Sequence, residues 1–206
     1  MIMSEKHHVE EHRDDDAKKL GMWLFIFTEL LLFGGLFLVY SIYRAKFPAD
    51  FHAGSLELSV TIGAINTIVL LFSSMTVAMA LTAIQKGNKK LSLIMISITL
   101  LMAFVFLVNK YFEWGHKFEM GLYPGSALMQ HLDRGFLLYF SLYFFMTGLH
   151  ALHIIVGMVL LFICLFKVKS GNVHTENYTF LENGALYWHL VDLIWIFLFP
   201  LMYLIS

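Results

Sequence analysis

Residues 136–166 read FLLYFSLYFFMTGLHALHIIVGMVLLFICLF, from Phe136 to Phe166. These thirty-one residues carry no Asp, Glu, Lys or Arg, and the first basic residue beyond them is Lys167. Such a run reads as a membrane-spanning helix. At ~1.5 Å per residue it is about 46 Å long, more than the ~30 Å hydrocarbon core, so it tilts or protrudes. His150 and His153 lie deep within it, and three residues apart on a helix they share a face. Ionisable groups at that depth are costly and point inward to a partner. The small neighbours Gly148, Ala151 and Gly157 let a second helix approach closely. The stretch is therefore expected in the middle of a helical bundle.

The rest of the composition agrees with a membrane-embedded chain. Of 206 residues, 59% are hydrophobic and only 14% charged, with a mean hydropathy of +0.72. The fold class is all-α, a polytopic bundle with lipid as its solvent. A formal net charge of −1 offers nothing to nucleic acid. The single cysteine, Cys164, excludes an internal disulfide framework, a Cys-x-x-Cys redox pair, a c-type haem attachment and a thiolate-bridged dicopper centre within this sequence. It reads as a small apolar filler of its span.

Working outward along the chain gives five spans. Residues 1–19 form a polar tail with His7, His8, His12 and the run Asp14-Asp15-Asp16. The tail reads as solvated, or alternatively as a weak metal-chelating patch. It does not have the order of a secretory signal peptide, because acids precede the apolar run. The transmembrane domain covers 20–206, with spans at about 20–43, 59–84, 91–118, 136–166 and 182–205. Residues 44–58 read as a loop around Pro48 and Gly54. In the second span Gly63, Thr67, Ser74 and Ala78 fall at helical spacing as a small, weakly polar contact face. The third span ends in a polar extension holding Lys110, Glu113 and Lys117, where Glu113 and Lys117 have the favourable i,i+4 orientation. Tyr111 and Trp114 read as interfacial anchors. Nine basic residues flank one side of this topology and five the other. The excess places the N-terminus in the cytoplasm and the C-terminus outside.

Five polar positions inside the membrane need explaining: Glu29, His150, His153, His189 and Asp192. Glu29 sits near mid-depth, where an unpaired carboxylate is costly, so it is expected to face inward and bond His150 or His153. His189 and Asp192 share a face at i,i+3. Trp188, Asp192 and Trp195 form a stripe along which an indole N–H can reach the carboxylate. Glu29, His153 and His189 have the depth to meet in one cytoplasmic-side cluster. These groups suit a satisfied polar network that sets helix register, a proton-collecting site, or a metal or haem site. For a bis-histidine haem the axial pair would be residues such as His150 and His189; His150-x-x-His153 can ligate zinc, but a closed site needs four ligands and no cysteine is near.

Five pieces of sequence then resemble one family in its order. They are Trp23-Leu24-Phe25-Ile26-Phe27-Thr28-Glu29; Asn66-Thr67 with Leu70-Leu71-Phe72-Ser73-Ser74; and Lys110-Tyr111-Phe112-Glu113-Trp114. After these come Gly148-Leu149-His150-Ala151-Leu152-His153 and Tyr187-Trp188-His189-Leu190-Val191-Asp192 with Trp195. The chain resembles subunit III of the haem–copper oxidases, the cytochrome c oxidase family, from about Leu20 to Tyr203. The resemblance implies a multi-pass subunit of the cell inner (cytoplasmic) membrane that carries no redox centre and docks on subunit I, which holds the haem and copper. It makes the histidines members of a structural network and Glu29 the counterpart of a buried, carbodiimide-reactive carboxylate. It implies structural phospholipid, support of proton uptake by subunit I, and protection during turnover. The first two helices of the seven-helix members have no counterpart in this sequence, and with them goes one wall of a lipid cleft. Competing readings are a subunit-III-like partner of a nitric oxide reductase, a small bis-histidine membrane cytochrome, and a free-standing proton or ion channel. The electron donor, cytochrome c or quinol, is read by other subunits.

Overall fold

The computed structural model describes the backbone of residues 2–129 and 132–204, and side chains from residue 17 onward except Lys18. Six helices follow in order: α1 (Ile2–Lys46), α2 (Pro48–Leu56), α3 (Val60–Gln85), α4 (Lys89–Glu119), α5 (Arg134–Ser170) and α6 (Thr179–Phe199). A π-helical turn, Pro200–Leu204, continues α6. Five segments are long and apolar enough to cross a membrane: Lys19–Lys46, Val60–Gln85, Lys89–Glu119, Arg134–Ser170 and Thr179–Leu204.

The short connections have local causes. Gly87 adopts φ +75°, the left-handed conformation that ends α3 without a Cβ penalty. Asn88 follows and caps α4, its side chain accepting from Leu91 N at 3.1 Å. The result is a tight α3–α4 hairpin, the most extensive helix pair in the molecule. Along it Asn109 Nδ2 donates to Asn66 Oδ1 at 2.8 Å, and the Thr76 and Thr99 hydroxyls bond at 2.8 Å.

The first departure from the sequence reading is between residues 44 and 58, where a loop was expected. The chain forms α2 there, with Pro48 in the first turn and Asp50 beside it. Proline's fixed φ suits that position and its missing N–H is no loss, so Pro48 starts a helix instead of breaking one. α2 lies against α5, with Phe51 edge-on to Tyr139 at 5.5 Å.

The second departure concerns the N-terminal stretch. The membrane-spanning part begins at Lys19, in line with the expected boundary, but the helix α1 itself extends back to Ile2. The side chains of His7, His8, His12 and Asp14 to Asp16 lie outside the described residues.

The third departure is which helix is most enclosed. α5 lies in the middle as expected, packed against α1, α2, α4 and α6, yet α6 is the more buried: 61% of an apolar 18-residue stretch of its span is buried, against 28% for α5 and 11% for α1. α5 instead turns Phe145, Leu152, Val156, Val159, Phe162 and Phe166 outward. Lipid tails are as apolar as a protein core, so an unbroken apolar run marks a helix with a lipid face. α6 carries the residues that fill a core from several sides: Gly184, Ala185, Trp188, Asp192 and Trp195 are all buried.

Candidate functional site

Besides the amide and hydroxyl pairs of the α3–α4 hairpin, the polar residues of the spans gather at three helix junctions. At the first, α1 meets α5. Glu29 Oε2 lies 2.9 Å from His153 Nε2, and His153 Nδ1 donates to the Leu149 carbonyl at 2.7 Å. Phe33 stands edge-on to the imidazole at 5.3 Å. Tyr187 on α6 donates to the His153 carbonyl at 3.2 Å, so three helices converge on this residue. One further ion pair ties α1 to α6, Lys19 with Glu182 at 3.5 Å.

At the second junction α6 meets α3. Trp188 Nε1 donates to Ser73 Oγ and Trp195 Nε1 to Thr67 Oγ1, each at 3.0 Å. His189 Nδ1 lies 2.6 Å from Ser74 Oγ. The expectation that Asp192 accepts from an indole is corrected here: both indoles donate to hydroxyls of α3. Asp192 is buried, and neither carboxyl oxygen has a hydrogen-bond partner among the described residues. The small face expected on α3 is used in part. Thr67 and Ser74 hold α6 and Gly63 lies under Phe199 and Tyr203, whereas Ala78 is exposed.

His150 and His153 separate by one helical step. His150 is fully buried, tilted against Trp195 at 5.1 Å and edge-on to Phe106 at 5.6 Å, with neither ring nitrogen bonded among the described residues. Glu29 therefore meets His153 and not His150. His189 stays with Ser74, so the single cluster of Glu29, His153 and His189 does not form. Rings packed on His150 fill the space a bis-histidine haem would need, and His189 is engaged by α3, so this pair does not fit that cofactor.

The third junction is one the sequence reading missed. Lys110 and Glu113, expected on a polar extension of the third span, are buried in the bundle. Lys110 Nζ lies 3.1 Å from Glu113 Oε2, and Tyr143 on α5 donates to Glu113 Oε1 at 2.6 Å. Tyr203, in the π-helical turn, also donates to Glu113 Oε1 and lies 2.6 Å from Lys110 Nζ. The rings of Tyr143, Trp195 and Tyr203 surround the ammonium at 5.0 to 5.3 Å. This arrangement satisfies a buried charge from every direction, with a counter-ion, a hydroxyl and three π faces. The expected Glu113–Lys117 pair gives way to it. Lys117 donates instead to the Glu57 carbonyl. The available signal was Lys110 and Glu113 at i,i+3, which in sequence competes with Glu113 and Lys117 at i,i+4. Trp114, expected at the interface, is half-buried and packs on Phe144 and close to Gly148.

The model of the family described as cytochrome c oxidase subunit III matches residues 2–206. The chain belongs to that family. The cytochrome c oxidase subunit 3 of Synechocystis sp. is 32% identical over 195 residues, covering 94% of this chain and 78% of its own. The probable quinol oxidase subunit 3 of Staphylococcus aureus is 30% identical over 195 residues, covering 94% and 91%. A protein of Aeropyrum pernix named heme-copper oxidase subunit I+III is 33% identical over 196 residues, covering 92% of this chain and 23% of that longer one.

In this subunit III the three junctions join side chains of all five spans. Two glycines permit the close approaches. A Cβ on Gly157 would stand 2.8 Å from Trp188, and one on Gly148 3.3 Å from Trp114. Among the described residues no group of three or more His, Cys, Asp or Glu is placed to hold a metal ion. An apolar groove of about 280 Å³ runs between α1, α5 and α6, past Met22, Phe25, Leu160 and Cys164. Phe180 and Asn183 join it to a more polar hollow of about 380 Å³ that includes Lys167, Asn172 and Asn177.

Proposed function

We propose that this chain is the non-catalytic subunit III of a proton-pumping haem–copper terminal oxidase in an aerobic respiratory chain. It sits in the cell inner membrane with its N-terminus in the cytoplasm and its C-terminus outside. Membership of the subunit III family is the observation that carries this reading. The relative in which subunits I and III form one polypeptide supports association with subunit I, where haem and copper would reside. The internal polar groups support a structural role, because Glu29, His153, His189, Lys110 and Glu113 each bond a neighbouring residue or helix. In this reading the chain stabilises subunit I, keeps its proton uptake fast and carries no redox centre. The groove beside Met22, Phe25 and Leu160 has the chemistry of a phospholipid tail site, with Lys167 in the adjoining hollow for an anionic headgroup. Relatives are named for both cytochrome c and quinol oxidases, and the donor is left to the partner subunits.

The test is a tagged chain purified from native membranes in mild detergent. The expected result is a heteromeric complex with subunit I and its haem absorption, while the chain purified alone is colourless. Removing the chain should leave oxygen reduction initially active, with slower proton uptake or a shorter working life. A chain that is monomeric in native membranes, or that shows haem absorption alone, would overturn the proposal. So would immediate, complete loss of activity in a complex whose subunit I and haems are intact.

A further inference from the structure

We propose that Glu29 and His153 hold one shared proton between them, so that docking of α1 on α5 is linked to the binding of a single proton. The Leu149 carbonyl oxygen can only accept a hydrogen bond, and it lies 2.7 Å from His153 Nδ1. Nδ1 therefore carries a hydrogen. A neutral imidazole protonated at Nδ1 has a bare lone pair at Nε2. That nitrogen lies 2.9 Å from Glu29 Oε2, and an ionised carboxylate also offers only lone pairs. Two lone pairs at this distance repel, so the contact requires a proton on the line between them. It sits on Nε2, giving imidazolium and carboxylate, or on Oε2, giving imidazole and carboxylic acid. Both arrangements hold the same number of protons and have no net charge. Moving the imidazole hydrogen from Nδ1 to Nε2 would set a bare Nδ1 against the Leu149 oxygen. Turning the ring over would put carbon at both contacts.

The surroundings leave the pair to settle this by itself. Between Lys19 and Arg44, Glu29 is the one charged residue of α1. On α5 the nearest titratable side chain is His150, buried against Phe106 and Trp195. On α6 the Tyr187 hydroxyl is used by the His153 carbonyl, His189 bonds Ser74 on α3, and Asp192 faces the same α3 junction. The Lys19–Glu182 pair stands ten residues back along α1, about 15 Å away. A neutral one-proton pair is thus the low-cost state at this depth. α1 is also the least buried span, and this is its one side-chain hydrogen bond to another helix among the described residues apart from the Lys19 ion pair. Losing the proton opposes docking, because it sets two lone pairs against each other at 2.9 Å. Coupling of the two equilibria is reciprocal.

The test is nitrogen NMR of imidazole-labelled full-length chain in lipid nanodiscs at neutral pH, with infrared detection of the Glu29 carboxyl. His153 is assigned by the loss of its signals in His153→Gln. Where that variant fails to assemble, through-space transfer from the Leu149 carbonyl carbon to Nδ1 gives the same assignment. The expected result is a protonated Nδ1 together with either a protonated Nε2 or a protonated Glu29. In Glu29→Gln, where the amide can donate to Nε2, the pair should hold one proton fewer, with His153 neutral and Nε2 bare. A neutral His153 protonated at Nδ1 beside an ionised Glu29 in the unaltered protein would overturn the proposal. A His153 protonated at Nε2 alone would do the same.

Discussion

Removing single groups from the Lys110–Glu113 and Glu29–His153 pairs has unequal consequences, because their partners differ in number. Glu113 is held by Lys110, Tyr143 and Tyr203, so Lys110→Met leaves it two hydroxyl donors. Glu113→Ala strands a buried ammonium, for which the general cost is about 3–5 kcal/mol. We therefore expect Glu113→Ala to lower stability the most, Lys110→Met less, and the double variant less than Glu113→Ala alone. Tyr203→Phe removes a bond to a charged acceptor and should cost about 1.5–3 kcal/mol. Reversible denaturant titration of the purified chain, followed by tryptophan fluorescence, ranks the four. For Glu29, hydrogen bonds between membrane helices average about 0.6 kcal/mol, so Glu29→Gln should shift stability by no more than that. Glu29→Ala should shift it further, since His153 Nε2 then has no partner. Equal losses for the two Glu29 variants would contradict this.

Between helices the deciding quantity is how close two backbones come. The α5–α6 pair depends on Gly157, whose hydrogen faces the Trp188 ring, with Tyr187 3.2 Å from the place a Cβ would occupy. Gly157→Ala should force the helices apart or push Trp188 off Ser73, at about 1–3 kcal/mol. Gly34 and Gly35 on α1 have open space where a Cβ would stand. There alanine should be neutral or stabilising by up to about 1 kcal/mol, the helix-propensity difference alone. Thermal inactivation or the same titration separates the cases. A Gly157→Ala variant as stable as Gly34→Ala would mean that α6 shifts freely along α5.

For the molecule as a whole, the asymmetry lies between a locked group of helices and a loosely attached one. α3, α4, α5 and α6 share the Trp188, Trp195 and Lys110–Glu113 junctions, whereas α1 presents Trp23, Leu24, Phe27, Leu31, Leu38 and Ile42 outward. With five spans and a basic excess on the N-terminal side, a reporter fused after the C-terminus should be silent if it works only in the cytoplasm. The same reporter before Met1 should be active. An active C-terminal fusion would reverse the proposed orientation. Loosening at Glu29 should also affect α1 before the rest. Limited proteolysis of Glu29→Ala in nanodiscs should therefore cut the α1–α2 connection near Lys46 while the α3–α4 hairpin stays intact.

How much of this was legible in the chain follows from the range of each interaction. Long apolar runs determine the number of spans by themselves, because a bilayer demands about twenty apolar residues per crossing and no distant contact is involved. The spacing of Glu29 and His153 from the ends of their runs was enough to set both at a similar depth. Periodicity likewise put Trp188, Asp192 and Trp195 on one stripe, and the family resemblance rested on motifs in order. Which face meets which helix is a different kind of fact. The same apolar residues satisfy lipid and core alike, so the run from Phe136 to Phe166 did not reveal that α5 also borders lipid and that α6 is the more enclosed helix. Lys110 and Glu113 gained their meaning from Tyr143 and Tyr203, which are 30 and 90 residues beyond Glu113. The choice between His150 and His153 for Glu29 needed the rotation of α5 about its axis. That rotation is decided by where Trp195 and Phe106 pack, and only the assembled bundle contains it.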